Sequence, residues 1–361
     1  MKVLFISSNL LNSKNGGWQC SNRNYESIRE IASSVDVYHI TPNAARTTLM
    51  SLFLGILNLI KLYSGGINKK HIKIILNKIS EENYDLVFFD SSVYGKLVRA
   101  VKRNFPNLKL VSFYHNVEYD FIKKLIYTGG FLHIFRIPAC FRNEQLTAKW
   151  SDQLICLTQE DEKVINNLYT KKTVINIPIS FKPIIEDSSA NLTKDDGNIS
   201  LLFVGSYFYA NIQGIKWFVD NVKLPSNVKL TIVGKDMQKL RSSFISLENV
   251  KIYSNVENLS VFYSNAHAVI CPLFYGGGMK VKVAEALMHG KKVIGTDLAF
   301  YGYRSEECST MLNASTSEDY LQFIENLNVD DRYFEESFNH FNQYFSYTST
   351  LELFRNIINK R

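Results

Sequence analysis

The chain has 361 residues, of which 46% are hydrophobic, and a formal net charge of +7. This length is too great for one ordinary hydrophobic core and too small for three, so it predicts two domains. The basic residues are spread along the chain and form no aromatic-interleaved stripe, which argues against nucleic-acid binding. The five cysteines are odd in number and widely scattered, which excludes a disulfide framework or a paired zinc motif and indicates reduced, structural thiols.

Short β-branched and aromatic runs alternate with helical patterns through the first half of the chain. Strands that alternate with helices form a parallel sheet covered on both faces. Residues 1–9 lack the apolar core and cleavage site of a signal peptide, so we expect a cytoplasmic protein. The predicted strands are VLFIS from residue 3, VDVYHIT from 35, YDLVFFD from 84, LKLVSFYHN from 108, DQLICLT from 152 and TVINIPI from 173.

A glycine pair, Gly16 and Gly17, follows the first predicted strand through a polar loop and precedes a helix. Open α/β sheets bind ligands beyond the carboxyl ends of their strands, which places this pair near a ligand. The pair lacks the spacing of a dinucleotide fingerprint, however, and the loop is long. The glycines alone are therefore a weak signal.

Residues 49–63, LMSLFLGILNLIKLY, are nearly all apolar and are followed by Lys69, Lys70, Lys73 and Lys78. The stretch is too short to span a bilayer. It could form a buried helix or helical hairpin of the first domain. It could equally lie in a membrane interface, with the lysines meeting anionic headgroups.

One histidine, His115, comes directly after the predicted strand that starts at residue 108. The position just past the carboxyl end of a strand supplies ligand-contacting residues in open α/β sheets. A single histidine is often structural, and the residue pattern leaves both interpretations open.

The polar stretch IIEDSSANLTKDDGNIS, residues 184–200, has no apolar period and indicates a linker or surface loop. The strand pattern then restarts, so we predict two doubly wound α/β domains facing a cleft, divided near residue 185. We set the domain limits at 1–182 and 183–340, with residues 341–361 as a C-terminal helix that packs back on the first domain. The strands of the second domain are predicted at SLLFVGS, VKLTIVGK, NVKIYS, HAVICPL and KKVIGT.

The stretch FYGGGMKVKVAEALMHGKKVIGT, residues 274–296, combines a glycine turn with a helix predicted from Met279 to His289. Lys280 and Lys282 fall in its first turn, where the helix dipole disfavours cations. A bound anion would reverse that preference, because glycines let backbone amides approach a phosphate and lysines neutralise it. Glu285, on the exposed face with Lys282 and His289, could then accept sugar hydroxyls. A surface helix with solvated lysines is the alternative.

The order of these segments resembles the retaining glycosyltransferases of the GT-B fold, group 1 (family 4), which include many bacterial polysaccharide enzymes. The resemblance covers nearly the whole chain. Its most specific part is FYGGGMKVKVAEALMHG, followed by FVGSYFYANIQGIKWF. Further matching segments are NGGW, FYHNVE, LICLTQED, INIPIS, LTIVGK, NVENLSVFYSNAHAVICPL and FSYTSTLELF.

The resemblance implies a role for each matching residue. Glu285 matches the second glutamate of the Glu, seven residues, Glu motif, which binds the donor ribose, while Gly277 stands where the first glutamate is usual. Lys280 becomes the leading diphosphate ligand, because Ser206 and Gln213 stand near the positions where the family often has Arg and Lys. His115 matches the histidine near the transferred sugar. The implied catalytic set is His115, Lys280 and Glu285, and the implied donor-binding set is Gly16, Gly17, Gly205, Val256, Gly277, Gly278, Met279, Lys280, Val281 and Glu285.

The resemblance also implies the reaction. A sugar would pass with retained configuration from a UDP- or GDP-linked donor to a glycan or lipid-linked glycan acceptor, in bacterial surface-polysaccharide synthesis, without a cofactor. No Asp-any residue-Asp stretch occurs in the sequence, so we expect metal-independent transfer. The expected location is the cytoplasm, with peripheral contact to the inner face of the membrane. The alternatives are a nucleotide-sugar epimerase of the same fold, or a non-catalytic nucleotide-sugar or glycan-binding subunit.

Overall fold

The computed structural model describes residues 1–11, 16–41, 55, 57–127, 131–170, 174–183, 197–244 and 247–359. The chain divides into two compact units: Met1–Pro178 with Thr350–Arg361, and Ile179–Ser349. Most of the predicted linker at 184–200 lies outside the described residues. The domain limits at 182 and 340 stay predictions.

The first unit contains a six-stranded parallel sheet in the order β2-β1-β3-β4-β5-β6. Each strand predicted in this half of the chain is present. The order reverses at β1, which lies between β2 and β3, and a crevice opens at such a switch point beyond the carboxyl ends of the strands. The strands are β1 (Lys2–Ser7), β2 (Ser34–His39), β3 (Leu86–Phe89), β4 (Lys109–Tyr114), β5 (Gln153–Cys156) and β6 (Val174–Asn176).

Helices cover this sheet and bury its β-branched and aromatic side chains. Leu4, Ile6, Val87 and Phe89 are fully buried and share one core cluster with Val98 of α3. The Thr158 hydroxyl caps α6 by accepting from the amide of Asp161, as its preference for helix N-termini predicts. The helices are α1 (Gly16–Ile31), α2 (Lys69–Glu81), α3 (Gly95–Asn104), α4 (Glu118–Tyr127), a 3-10 turn (Phe131–Arg136), α5 (Ile137–Trp150) and α6 (Gln159–Tyr169).

Seven of the fifteen residues of the apolar stretch at 49–63, namely 49–54 and 56, lie outside the described residues. The lysine-rich segment after it forms α2, which buries Ile75 and Ile79 in the first core. Lys69, Lys70 and Lys73 are exposed on the same helix. Within the described ranges, no helix is long and apolar enough to cross a membrane.

The second unit repeats the architecture with the order β12-β11-β10-β7-β8-β9. Its five predicted strands are present, and a sixth, β12, was missed because it has only three residues. The strands are β7 (Ile199–Val204), β8 (Val228–Gly234), β9 (Val250–Ser254), β10 (Ala268–Cys271), β11 (Lys292–Gly295) and β12 (Met311–Asn313). The helices are α7 (Tyr209–Asn221), α8 (Ser260–Asn265), α9 (Val281–Met288), α10 (Ser317–Glu325) and α11 (Glu335–Tyr344), with 3-10 turns at Met237–Ser243 and Ser305–Glu307.

The last helix, α12 (Tyr347–Asn359), begins in the second unit and continues into the first. In the first unit the ammonium of Lys109 donates to the carbonyls of Ile357 and Ile358, at 2.8 and 3.1 Å. The Arg23 guanidinium lies over the Phe354 ring, 5.2 Å from its centroid. Both units are doubly wound α/β sheets, which confirms the predicted fold class.

Candidate functional site

The second unit brings three predicted segments to the carboxyl edge of its sheet. The strand order reverses at β7, so the turns after β7 and β10 flank the switch point. Gly205 follows β7, Val256 follows β9 and the glycine loop 276–278 follows β10. Gly205 and Gly234 approach so closely that a Cβ on Gly234 would lie 1.8 Å from the Gly205 carbonyl oxygen. Glycine is therefore a steric requirement here.

The glycine loop takes a backbone path that other residues rarely follow. Gly276 and Gly278 have φ angles of 117° and 65°. Lys280 is extended and caps the helix, so α9 begins at Val281 and ends at Met288, inside the predicted limits. The ammonium of Lys280 donates to the carbonyls of Gly277 (3.2 Å) and Gly278 (2.6 Å). Lys280 thus holds its charge against the loop.

A tyrosine completes the first turn of α9. The Tyr303 hydroxyl donates to the carbonyl of Lys280 at 2.6 Å and accepts from the amide of Ala284 at 3.3 Å. It thereby bridges the two groups that would otherwise form the first α-helical hydrogen bond. Helix geometry gives the amides of Val281 and Lys282 no intrahelical acceptor. These amides and Lys280 together form a positive helix terminus suited to an anion.

Lys282 differs most from its predicted environment. It was expected on the exposed face, but it is only 9% exposed. Its ammonium donates to Asn211 Oδ1 at 2.9 Å and lies 4.3 Å from the centroid of the Phe203 ring. Burial lowers the pKa of Lys282 to about 8. The prediction was wrong because this side of α9 packs against the first turn of α7, where Asn211 also donates to the carbonyl of Ser206.

Glu285 and His289 also face protein rather than open solvent. The Tyr263 hydroxyl donates to Glu285 Oε2 at 3.0 Å, and Glu285 is half-buried. The His289 ring stacks on Tyr263 with centroids 4.8 Å apart. Burial, together with nearby Lys291, lowers the pKa of His289 to about 4, so this ring is neutral. The helix face predicted as exposed therefore packs on α8, with Glu285 oriented by Tyr263.

The first unit gathers polar groups around Asp90, which follows β3 at the switch point. Asp90 is fully buried. Its carboxylate accepts from Ser7 Oγ at 2.7 Å, Asn24 Nδ2 at 3.0 Å and His115 Nε2 at 2.9 Å. Burial by itself would raise the pKa of Asp90, but His115 and the hydrogen bonds lower it. Asp90 is thus an ionised anchor for His115.

His115 follows β4 directly, as predicted, and its ring packs edge-on against Phe113 with centroids 4.9 Å apart. Burial opposes its charged form, but Asp90 and Cys20 raise the pKa of His115 well above 6.5. The Cys20 thiol lies 3.7 Å from Arg23 Nη2. Burial raises the pKa of Cys20, but His115 and Arg23 outweigh burial and lower it. His115 is therefore protonated at neutral pH, and Cys20 is a buried, polarised thiol rather than plain packing.

Gly16 and Gly17 are the exposed first residues of α1. The following turns of α1 carry Ser21 and Asn24 to the Asp90 network, where Ser21 Oγ lies 3.4 Å from His115 Nε2. Of this network, only His115 was predicted from the sequence as a site residue. Asp90 could have been recognised, because it is a carboxylate ending the buried strand YDLVFFD.

No sequence pattern indicates the contacts of Lys282 with Asn211 or of Glu285 with Tyr263. These contacts depend on packing between helices that are far apart in the chain. Across the described ranges, no group of three or more His, Cys, Asp or Glu residues lies together in a way that could hold a metal ion.

Residues 198–328 match the family model of the glycosyl transferases group 1. This range lies within the second unit and covers less than half of the chain. The matched range includes Gly205, Val256, the glycine loop, Lys280 and Glu285. No match to the chain was found among curated protein sequences.

Solved structures of similar fold span the whole chain. WaaG, a glycosyltransferase involved in lipopolysaccharide biosynthesis, is 17% identical with a TM-score of 0.67, over 99% of this chain and 100% of WaaG. WaaB, a lipopolysaccharide outer core galactosyltransferase, is 13% identical with a TM-score of 0.66, over 99% of both chains. HepE of Anabaena, solved with UDP and glucose, is 13% identical with a TM-score of 0.66, again over 99% of both chains. The likeness establishes the GT-B fold.

Proposed function

We propose that the protein is a retaining, metal-independent glycosyltransferase that moves a sugar from a nucleotide-sugar donor to a glycan or lipid-linked glycan acceptor. One observation carries the proposal. In a group 1 glycosyltransferase domain, the glycine loop, Lys280 and Glu285 meet at the switch point of the sheet. That edge offers a cation, a helix terminus and an oriented carboxylate within one short segment.

The diphosphate is assigned to the start of α9. The amides of Val281 and Lys282 donate to phosphate oxygens, and Lys280 supplies the charge that neutralises them. Lys280 already turns toward the loop carbonyls, so its ammonium needs only a local shift to reach a phosphate. Gly277, Gly278 and Met279 form the backbone that approaches the ligand, and Gly205 opens the opposite side of the switch point.

The nucleoside is assigned to Glu285 and Val256. Tyr263 donates to Glu285 Oε2 and so orients the carboxylate, whose oxygens we assign to the ribose hydroxyls. The backbone near Val256, beyond β9, is assigned to the base. We propose UDP as the donor nucleotide, with GDP as the alternative, because the HepE structures hold UDP or UDP-glucose.

The first unit supplies His115 for the transferred sugar. Asp90 keeps this histidine protonated, so that it carries a positive charge that would attract the oxygens of the sugar. In the proposed reaction the bond between the anomeric carbon and the diphosphate oxygen breaks. The acceptor oxygen then bonds to the same face of the anomeric carbon, and its proton passes to the departing diphosphate. No separate carboxylate base is required.

The biological setting follows from the same proposal. WaaG and WaaB belong to lipopolysaccharide synthesis. We propose that this chain acts in bacterial surface-polysaccharide synthesis, in the cytoplasm, with peripheral contact to the inner face of the membrane.

A panel of UDP- and GDP-linked sugars tests the proposal by thermal stabilisation followed by product analysis. A ligand at about 100 times its dissociation constant stabilises the folded state by about 2.7 kcal/mol, which is readily measured. We expect one UDP-sugar to stabilise most and to be slowly hydrolysed without an acceptor. Binding without any hydrolysis would favour the non-catalytic subunit, and release of an epimerised sugar would favour the epimerase. No stabilisation by any nucleotide sugar would contradict the proposal.

A further inference from the structure

The first unit has a cavity of about 570 Å³ among α3, α5 and the end of α6, which we call the basic pocket. Among the described residues, four cationic side chains line it and no acidic side chain does. Its volume lies within the range of about 300 to 1,000 Å³ that is usual for ligand pockets. Its lining includes Arg99, Arg103, Arg142, Lys149 and Trp150.

The basic pocket is separate from the His115 network of the same unit. The helices α3, α5 and α6 end at Asn104, Trp150 and Tyr169, just before the strands β4, β5 and β6 begin. Arg103, Lys149 and Trp150 lie in those last turns, toward the amino ends of the strands. Asp90 and His115 follow their strands, at the carboxyl ends. The two sites thus lie at opposite edges of one sheet.

Cations crowd this part of the surface. Arg103 and Lys149 flank the Trp150 ring, 5.5 and 5.8 Å from its centroid. Burial and then the charges of Arg99 and Arg142 lower the pKa of Lys96, which places these two arginines close to a further cation.

The helix dipole explains only part of this arrangement. Cations in the last turn of a helix are stabilised by the dipole, which accounts for Arg103 and Lys149. Arg99 lies in the middle of α3, and Arg142 lies in the first half of α5. Their placement beside other cations raises the electrostatic energy, because like charges repel and no carboxylate in the described part of the chain lines the pocket.

An anion would relieve this repulsion, and the side chains suit one chemistry. Guanidinium groups bind phosphate through paired hydrogen bonds, whereas a lysine acts as a point charge. Arg142 is already oriented, since its Nη1 donates to Gln145 Oε1 at 2.6 Å. We propose that the basic pocket binds a phosphate ester through Arg99, Arg103 and Arg142, whether the ester is free or part of a lipid headgroup. This site is independent of the donor site at α9.

Binding to two probes tests the proposal: inorganic pyrophosphate, and vesicles of phosphatidylcholine mixed with phosphatidylglycerol. The fluorescence of Trp150 reports on the pocket, with Trp150→Phe as the spectral control. We expect the double variant Arg99→Gln/Arg142→Gln to bind at least one probe at least tenfold more weakly than wild type, because two charged hydrogen-bond donors to the anion are lost. Loss of pyrophosphate alone would identify a free ester, and loss of vesicle binding would identify a headgroup.

The control removes the same two charges elsewhere. Lys216→Gln/Arg241→Gln alters exposed residues of the second unit. Equal weakening in this control would reduce the effect to net charge and overturn the proposal, as would unchanged binding of both probes to the pocket variant. If the glutamine variant folds poorly by circular dichroism, Arg99→Lys/Arg142→Lys is measured instead. It keeps the positive charges but removes the paired hydrogen bonds of the guanidinium groups. That variant is expected to bind several-fold more weakly than wild type, and wild-type binding would contradict the assignment.

Discussion

Both units form a six-stranded parallel sheet whose order reverses at the first strand. They differ in how deeply the charged side chains at the carboxyl edge of the sheet are buried. In the first unit Asp90 is fully buried, and its carboxylate accepts from three side chains that include protonated His115. In the second unit Lys280 and Glu285 are only half-buried. The charge at the carboxyl edge of the first sheet is therefore shielded from solvent, whereas the charges at the carboxyl edge of the second sheet are accessible to a ligand.

Because of this difference, we expect substitutions at the first edge to change the stability of the fold and substitutions at the second edge to change ligand binding. A buried charge with several partners destabilises the protein when one partner is removed, because the others lose their compensation. Half-buried charges are screened by water, so removing one should leave the fold intact and alter ligand binding. Lys282 combines the two cases, since it lies in the second unit and is nevertheless buried.

The largest effect on stability is expected for Asp90→Ala. Removing the carboxylate leaves the His115 charge buried without its partner, which should lower the free energy of unfolding by about 3 to 5 kcal/mol. Urea denaturation measures the loss. The control is Asp120→Ala in the same unit, which breaks the exposed ion pair with Lys124 and should cost less than about 1 kcal/mol. Equal losses of unfolding free energy in the two variants would show that the Asp90 network stabilises the fold no more than an exposed ion pair does.

Lys280→Ala tests the half-buried charge of the second unit, which should affect catalysis and leave the fold intact. If its charge stabilises the departing diphosphate, turnover at saturating donor should fall about 100- to 1,000-fold, with an unchanged circular dichroism spectrum. Lys280→Arg should retain more activity, because the charge remains. Lys216→Ala, an exposed lysine of the same unit, should change turnover by well under tenfold. Near-wild-type turnover of Lys280→Ala would refute the anion site at α9.

Lys282→Met tests the intermediate case through pH. The pKa of Lys282 falls from 10.5 to about 8 in the folded state, so the folded protein binds fewer protons than the unfolded chain between these values. The buried charge of Lys282 therefore destabilises the fold below pH 8. The free energy of unfolding increases by about 3 kcal/mol as the pH rises from 8 to 10.5. The difference in unfolding free energy between wild type and Lys282→Met should rise by this amount across the window. A flat difference would mean that Lys282 is solvated, as the sequence suggested.

Most of the fold could be predicted from the sequence, because buried parallel strands are near-continuous apolar runs bounded by polar turns. Phe88 and Phe89 in YDLVFFD are an example, since both are fully buried. The strand at Met311–Asn313 was missed because three residues carry no period. The position of His115 past β4 was also readable, since it depends only on where a strand ends.

The partners of the site residues could not be predicted, because they come from segments far apart in the chain. Helical spacing placed Lys282, Glu285 and His289 on one face correctly, but spacing alone does not say what covers that face. The residues that cover it, Tyr263 and Asn211, lie on α8 and α7. Asp90 and Ser7 likewise meet only because β1 and β3 are neighbours in the sheet.

The central claim is that the carboxyl edge of the second unit holds the donor, with Lys280 at the diphosphate and Glu285 at the ribose. Titration calorimetry of UDP and of uridine against wild type, Lys280→Ala and Glu285→Ala tests it most directly. Each lost charged hydrogen bond should weaken binding by about 1.5 to 3 kcal/mol, roughly 10- to 150-fold. We predict that Glu285→Ala weakens both ligands, whereas Lys280→Ala weakens UDP and leaves uridine unchanged. Equal weakening of both ligands by Lys280→Ala, or unchanged binding of UDP to both variants, would contradict the account.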